Sequence, residues 1–335
     1  MSDAYDPIPE LRRFGYTERE AAFLYLVGIH SGHFLRRQYL AFIQKEDGAM
    51  VQRLLAKSVG LEHVCPIEYE HGRHIYHLKS KRIYRILGQE DSQNRRSKGD
   101  RQIQARLMLL DYVLGHFGEQ FLETEQQKVK FFHEKLGIPL ESLPQVTQGN
   151  RSHPRYFPDH FSVTVEQPDS NSAPLVTLVF LDDGLRSISS FVRWLEQHTP
   201  LLNALHRADV IYTATGSRNF PEAEREFLRR FPKQNTTEDL PLGLDHFLRY
   251  LEVRRCYDLK LRFLTPSGMR IMEEGDPIYT SLEHRALLAA WKMGNTNEAK
   301  VRSRYEQRTR KISILGHLLE NDYPIWSRKY RRAVL

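Results

Sequence analysis

The sequence predicts a protein of mixed α+β and α/β class with more than one domain. At 335 residues, the chain is longer than a single hydrophobic core usually grows. Hydrophobic residues make up 40% of it, which is enough apolar material to form real cores. Helical spacing dominates both ends, whereas segments rich in Val, Phe and Thr alternate with helical segments in the middle. That alternation is typical of an α/β region.

Changes in composition divide the chain into four parts. We expect an N-terminal module over residues 1–88 and a polar linker over 89–101, because that stretch has no apolar residue to anchor it. A helical pair and an α/β domain are expected over 102–235. A helical region with a basic tail is expected over 236–335, where residues 299–335 hold ten Lys or Arg against three acids.

The N-terminal module has the pattern of three helices followed by a β-hairpin. Thr17 and Glu20 have the spacing of a capping box, so a first helix begins there. A short second helix is predicted over 35–43 and a third over 49–59. Two strand-like runs, 64–69 and 75–78, flank a turn and form a wing. This order predicts a winged helix-turn-helix whose third helix reads DNA.

Basic residues recur on the third helix, on the wing and in the tail, and they are the candidate contacts to double-stranded DNA. A homodimer is expected because helix-turn-helix proteins gain affinity from two half-sites. An alternative stays open, in which these are ordinary solvated charges on an adaptor that binds protein. The candidate DNA-binding residues are Arg53, Lys57, Arg73, Lys79, Lys81, Arg82, Arg304, Arg308 and Lys311.

Three aspartates in the α/β region suggest a nuclease. Asp159 follows Pro158 just before a predicted strand, and Asp182 and Asp183 end the next strand. Nucleases of the PD-(D/E)xK type use such carboxylates to hold Mg²⁺, with a lysine two residues further on. That lysine is absent here. We therefore expect a degenerate nuclease-like fold without catalysis, cofactor or resident metal, and a Mg²⁺-dependent nuclease using these aspartates is the alternative.

The N-terminal arrangement, the Arg-rich linker and the Pro-Asp before the first central strand together resemble the replication-relaxation family of plasmid and mobile-element proteins. The resemblance covers residues 10–90 and, by pattern, 150–231. It implies a bacterial origin, DNA binding, and a role as a transcriptional regulator or as an accessory factor of a mobile element. A protein partner encoded by the same element or operon is a further implication.

The C-terminal region is expected to contain one long helix over 297–319, with Ile312, Leu315 and Leu318 on one stripe. No run of apolar residues has the length of a membrane span, and the first residues lack the pattern of a signal peptide. We therefore expect a cytoplasmic protein with no membrane partner. Cys65 and Cys256 are too few for a disulfide framework or a zinc finger.

Overall fold

A computed structural model gives the architecture, and it confirms a mixed α+β protein of helices and small sheets. The chain forms two compact units, Met1–Phe227 with Ser313–Leu335, and Leu228–Ile312. These units divide the chain differently from the expected parts 1–88, 102–235 and 236–335. The structure describes residues 6–46, 48–70, 72–146, 154–159, 161–167, 173–184, 187–232, 240–261, 263–308 and 311–323.

The first unit opens with two helices, α1 (Ile8–Arg12) and α2 (Glu18–Leu26). The predicted capping box is confirmed, because the Thr17 hydroxyl accepts from the Glu20 amide and the Glu20 carboxylate accepts from the Thr17 amide. Helix α2 continues through one π-helical turn, Val27–Ser31. It ends at Gly32, whose φ of +78° suits glycine.

Two more helices and a small antiparallel sheet complete the N-terminal part. Strand β1 (His33–Phe34) leads to α3 (Arg36–Ile43) and α4 (Gly48–Gly60). Strands β2 (Val64–Glu70) and β3 (Arg73–Leu78) form a hairpin, and the sheet order is β1-β3-β2. The apolar faces of these elements share one core, which includes Leu24, Tyr39, Val51, Leu54 and Leu78.

The polar segment 89–101 is packed against the N-terminal part. It follows α5 (Lys81–Ile86) and contains a 3-10 turn, Gln93–Arg95. The Asn94 side chain is buried and donates to the carbonyls of Gly28 at 3.2 Å and Ile29 at 2.8 Å. A Cβ on Gly32 would lie 2.3 Å from the Asn94 carbonyl oxygen, so glycine is required there. The segment is therefore ordered structure rather than a free linker.

Helix α6 (Asp100–Gly115) joins the N-terminal part to the α/β part of the first unit. Leu110 belongs to the N-terminal core, whereas Ile103 and Leu107 pack with Leu181 of the central sheet. Next come α7 (Glu125–Val129), which continues as a π-helical turn, and a two-stranded sheet of β4 (Gln145–Val146) and β5 (Arg155–Tyr156). The predicted helical pair is thus present.

A four-stranded sheet forms the α/β part, in the order β6-β7-β8-β9. Strand β6 (Val163–Glu166) runs antiparallel to β7 (Leu175–Asp182), and α8 (Ser189–Ala204) crosses over to β8 (Arg207–Ala214), which is parallel to β7. Helix α9 (Phe220–Arg230) follows. The buried aromatic rings of Phe180, Phe191, Trp194 and Tyr212 pack between this sheet and α8.

The expected long helix over 297–319 is wrong in its second half. Helix α13 (Glu298–Arg308) is followed by strand β9 (Lys311–Leu318), which lies beside β8. The Ser313 hydroxyl donates to Asp209, and the Leu319 amide donates to the Ala214 carbonyl, so the two strands run in the same direction. Gly316 is required because a Cβ there would lie 2.7 Å from the Phe220 ring.

The second unit is helical. It comprises α10 (Gly243–Asp258), α11 (Pro266–Gly275), α12 (Leu282–Lys292) and α13. Its core is formed by Phe247, Leu251, Tyr279, Leu287 and Val301. Within the described parts of both units, no helix is long and apolar enough to cross a membrane.

Candidate nucleic-acid interface

Helix α4 turns one face into the N-terminal core and leaves the opposite face open. Val51, Leu54 and Leu55 are buried, as their spacing predicted. Gln52 and Arg53 are exposed on the other side. No described residue forms an ion pair or hydrogen bond with Arg53, so its guanidinium is available for an external acceptor.

A second cation, Arg36, lies near the start of α4 and was not among the sequence-based candidates. A Cβ built on Gly48, the first residue of α4, would be 3.5 Å from an Arg36 guanidinium nitrogen. The positive end of the α4 dipole and the Arg36 charge therefore lie together. Arg36 opens the predicted second helix, and only the folded structure brings it beside the third.

The structure turns Lys57 inward, contrary to the expectation that it faces outward. Its ammonium donates to a Glu20 carboxylate oxygen at 2.6 Å and to the Gly15 carbonyl at 2.8 Å. The same nitrogen lies 5.5 Å from the centre of the Tyr16 ring. Lys57 thus ties α4 to α2, and it is corrected from a candidate DNA contact to a residue that holds the helices together.

The β2–β3 hairpin carries charges of both signs. Arg73 pairs with Glu70 at 3.0 Å, and the Gly72 amide donates to Glu68 at 3.0 Å. Tyr69 and Ile75 pack toward α6, so one face of the hairpin is covered within the first unit. His71, at the turn, lies outside the described residues.

Three further candidates lie just after the hairpin. Lys79 and Arg82 are exposed, and Lys81 pairs with Glu90 at 2.8 Å. The hydrogen bonds from Arg85 and Lys81 lower the pKa of Glu90 to about 2, so this acid stays charged at neutral pH. The positive charge of Lys81 is therefore partly neutralised, whereas Lys79 and Arg82 keep theirs.

The structure describes the side chains of only some of the predicted cations in the C-terminal region. Arg304 on α13 pairs with Glu283 of α12 at 2.8 Å. The side chains of Arg308 and Lys311, and the terminal cluster after Tyr323, lie outside the described residues. Arg304 therefore contributes an ion pair to the second unit.

Asp159 is held by side chains of α8. Its Oδ2 accepts from the Trp194 indole at 2.6 Å and lies 3.5 Å from His198 Nε2, while its Oδ1 accepts from the Phe161 amide. Burial lowers the pKa of His198, and the Asp159 charge opposes that shift. Both carboxylate oxygens of Asp159 are thus already coordinated by protein donors.

Asp182 and Asp183 point to opposite faces of the sheet. Asp182 accepts from the Tyr212 hydroxyl at 2.6 Å and from Asn219 at 2.9 Å, on the side of α8. Asp183 lies 4.0 Å from Arg101 of α6, and its carbonyl accepts from Gln104. Among the residues that the structure describes, no group of three His, Cys, Asp or Glu is arranged to hold a metal ion.

Because adjacent aspartates on opposite faces cannot share one ion, we expect no cleavage of supercoiled plasmid DNA in the presence of Mg²⁺. Hydrolysis of DNA by this type of site needs two carboxylates that bind the same metal ion. Agarose gel electrophoresis after incubation checks this. Mg²⁺-dependent nicking that disappears in Asp182→Asn would contradict it and favour the nuclease alternative.

Comparisons with known proteins identify no relative whose site could be compared with this one. No protein family, curated protein or solved structure matches the chain. The functional argument therefore depends on the residues and contacts described above.

Proposed function

We propose that the chain binds double-stranded DNA with a winged helix-turn-helix formed by α2, α3, α4 and the β2–β3 hairpin. The observation that carries the proposal is the uncovered face of α4, which presents Arg53 and has Arg36 at its first turn. The order of elements and the β1-β3-β2 sheet are those in which a third helix enters the major groove.

In this proposal, the positions of the cations decide which of them contact bases and which contact phosphates. Arg53 and Gln52, on the open face of α4, are placed to meet base edges. Arg36, Lys79 and Arg82 are placed around that face to meet phosphates, which fix position and supply most of the salt-dependent affinity. In this proposal the protein is a regulator or a mobile-element accessory factor that binds paired half-sites as a homodimer.

The α/β part serves assembly in this proposal. Its aspartates are held by Trp194, Tyr212 and Asn219, an arrangement that suits a structural role. An adaptor that binds protein through α4 is the competing possibility, and the binding experiment below separates the two.

Arg53→Ala is expected to weaken duplex binding by about 5- to 150-fold, because one good Arg contact to DNA is worth about 1–3 kcal/mol. Arg36→Ala should also weaken binding and lower the slope of log affinity against log salt by about one. Fluorescence anisotropy with a random duplex and with DNA from the upstream region of the gene, titrated across salt, measures both effects.

Two variants serve as controls. Arg270 is exposed in the second unit, so Arg270→Ala should leave affinity unchanged. Lys57→Ala should lower the thermal stability more than the affinity, because Lys57 holds α4 to α2. If duplex binding is absent at low salt, or if Arg53→Ala and Arg270→Ala behave alike, the adaptor replaces the DNA-binding proposal.

A further inference from the structure

A cleft of about 1520 Å³ lies within the first unit, and no residue of α4 lines it. Its walls come from the π-helical turn after α2, the polar segment, α6, α7 and β5. Six cations line it. They are Arg85, Arg96, Arg106, Lys128, Lys130 and Arg155.

Among these cations, Lys128 is buried and Arg106 is half-buried, and neither forms an ion pair with a described carboxylate. Lys128 is 5% exposed, and its ammonium donates to the Phe161 carbonyl at 2.7 Å and lies 5.3 Å from the centre of the Phe157 ring. The Arg106 guanidinium donates to the His30 carbonyl at 3.4 Å. A buried cation held by carbonyls alone is costly unless an anion compensates it.

The pKa shifts agree with this arrangement. Burial lowers the pKa of Lys128 to about 8; the Asp159 charge opposes this shift and the Arg106 charge contributes to it. Burial also lowers the pKa of Arg106 to about 10, against the opposing effects of Asp159 and Tyr84, and Arg155 acts in the same direction as burial. The Asp159 charge acts on both cations, yet its oxygens are already bound by Trp194 and the Phe161 amide.

A buried donor without a partner also lines the cleft. His30 is 7% exposed, and its Nε2 makes no hydrogen bond to any described residue. That nitrogen lies 3.9 Å from a Glu123 oxygen, and burial lowers the pKa of His30 to about 3, so the ring is neutral. A neutral imidazole can donate one further hydrogen bond to a ligand oxygen.

No described carboxylate of the cleft forms an ion pair with Arg106 or Lys128. Glu90 pairs with Lys81 and Arg85 at one rim, and Glu123 accepts from the Tyr25 hydroxyl. Glu125 accepts from the Tyr156 amide and lies 3.8 Å from Arg155. Asp91 and Glu134 are exposed at the rim. The inner wall therefore keeps an excess of positive charge around Arg106 and Lys128.

We propose that this cleft binds a phosphate group, with Arg106 and Lys128 as the charged ligands and His30 as a neutral donor. Tetrahedral oxyanions suit this set, because arginine offers paired donors and lysine a point charge. The volume has room for a phosphate that belongs to a larger molecule, either a nucleotide or a strand of nucleic acid. The site uses no residue of α4, so it stands independently of duplex binding by that helix.

Titration of inorganic phosphate and pyrophosphate in a chloride buffer, followed by isothermal calorimetry and thermal unfolding, tests the proposal. We expect saturable binding with a Kd of about 1 mM or tighter, and a rise in melting temperature. Lys128→Met should weaken binding by at least about tenfold. It should also raise the melting temperature in the absence of phosphate, because it removes a buried charge.

Matched variants keep the test decisive. Lys300→Met removes an exposed lysine of the second unit and should leave phosphate binding unchanged. Arg106→Gln provides a second loss of charge if Lys128→Met does not fold. The proposal is overturned if neither phosphate nor pyrophosphate binds saturably, or if both cleft variants bind like the parent protein.

Two further arms identify the source of the phosphate and separate this site from α4. A short single-stranded oligonucleotide with a 5′-phosphate that binds better than its 5′-hydroxyl form indicates a terminal phosphate. Equal binding of the two, tighter than that of pyrophosphate, indicates the backbone. Arg53→Ala should spare phosphate binding, and Lys128→Met should spare duplex binding, so either proposal can fail alone.

Discussion

Phe180→Ala is expected to lower the free energy of unfolding of the first unit by about 3–5 kcal/mol. Phe180 is 3% exposed near the end of β7. Its ring centre lies 5.1 Å from that of Phe191, 5.3 Å from Tyr212 and 5.5 Å from Trp194. Removing the ring creates a cavity between the sheet and α8, where three rigid aromatic side chains cannot collapse to fill it.

Urea denaturation followed by circular dichroism measures this loss. Phe263→Ala is the matched control, because Phe263 is fully exposed in the second unit and its removal should change the stability by less than about 0.5 kcal/mol. A loss below about 1 kcal/mol for Phe180→Ala would mean that this aromatic cluster is not the core of the sheet.

The parts of the fold that the sequence predicted well depend on local signals. Thr17 and Glu20 satisfy each other within one turn, so their spacing alone located the start of α2. The apolar residues of α4 recur at helical spacing, and the predicted helix over 49–59 agrees with Gly48–Gly60 within one residue at each end. Such signals are complete within a few residues.

Strand β9 shows where local signals fail. Ile312, Leu315 and Leu318 fit the helical period, but Ile312, Ile314 and Leu318 also fit the alternation of a strand. The segment forms a strand because the edge of β8 offers backbone hydrogen bonds. One of them is donated by the Leu319 amide to the Ala214 carbonyl. That edge is distant in sequence, so no window around β9 contains the deciding information.

The candidate sites show the same limit. Lys57 has the spacing of an outward-facing residue, yet Glu20 of another helix draws its ammonium inward. The cleft was not predicted at all, because Arg106, Lys128 and Arg155 are unremarkable cations in separate segments. They line one cleft only in the folded chain, and this shared position gives them their significance.

We expect the first unit to lose stability as the pH falls below about 6.5, because it buries neutral histidines. Burial lowers the pKa of His33 to about 3, and the charges of His77 and Arg106 contribute to this shift. Burial lowers the pKa of His30 to about 3 as well. The rings of His33 and His77 stack with centres 4.3 Å apart, so protonation of one is opposed by the other.

The direction follows from proton uptake. Between the ordinary histidine pKa of about 6.5 and the lowered values, the unfolded chain binds protons that the folded chain does not. The stability contributed by the neutral histidines is therefore fully present above about pH 6.5. It is lost progressively as the pH falls toward 3. At about pH 5, His30 and His33 together should account for a loss of about 4 kcal/mol.

His33→Phe tests this origin directly. Both ring nitrogens of His33 lack hydrogen-bond partners among the described residues, so phenylalanine should change the stability by less than about 2 kcal/mol near pH 7.5. It should remove about 2 kcal/mol of the loss between about pH 7.5 and pH 5, measured by urea denaturation at each pH. His206→Gln, on the surface, is the control and should keep the parent's dependence on pH. An undiminished loss in His33→Phe would show that His33 is already protonated in the folded state or does not titrate with unfolding.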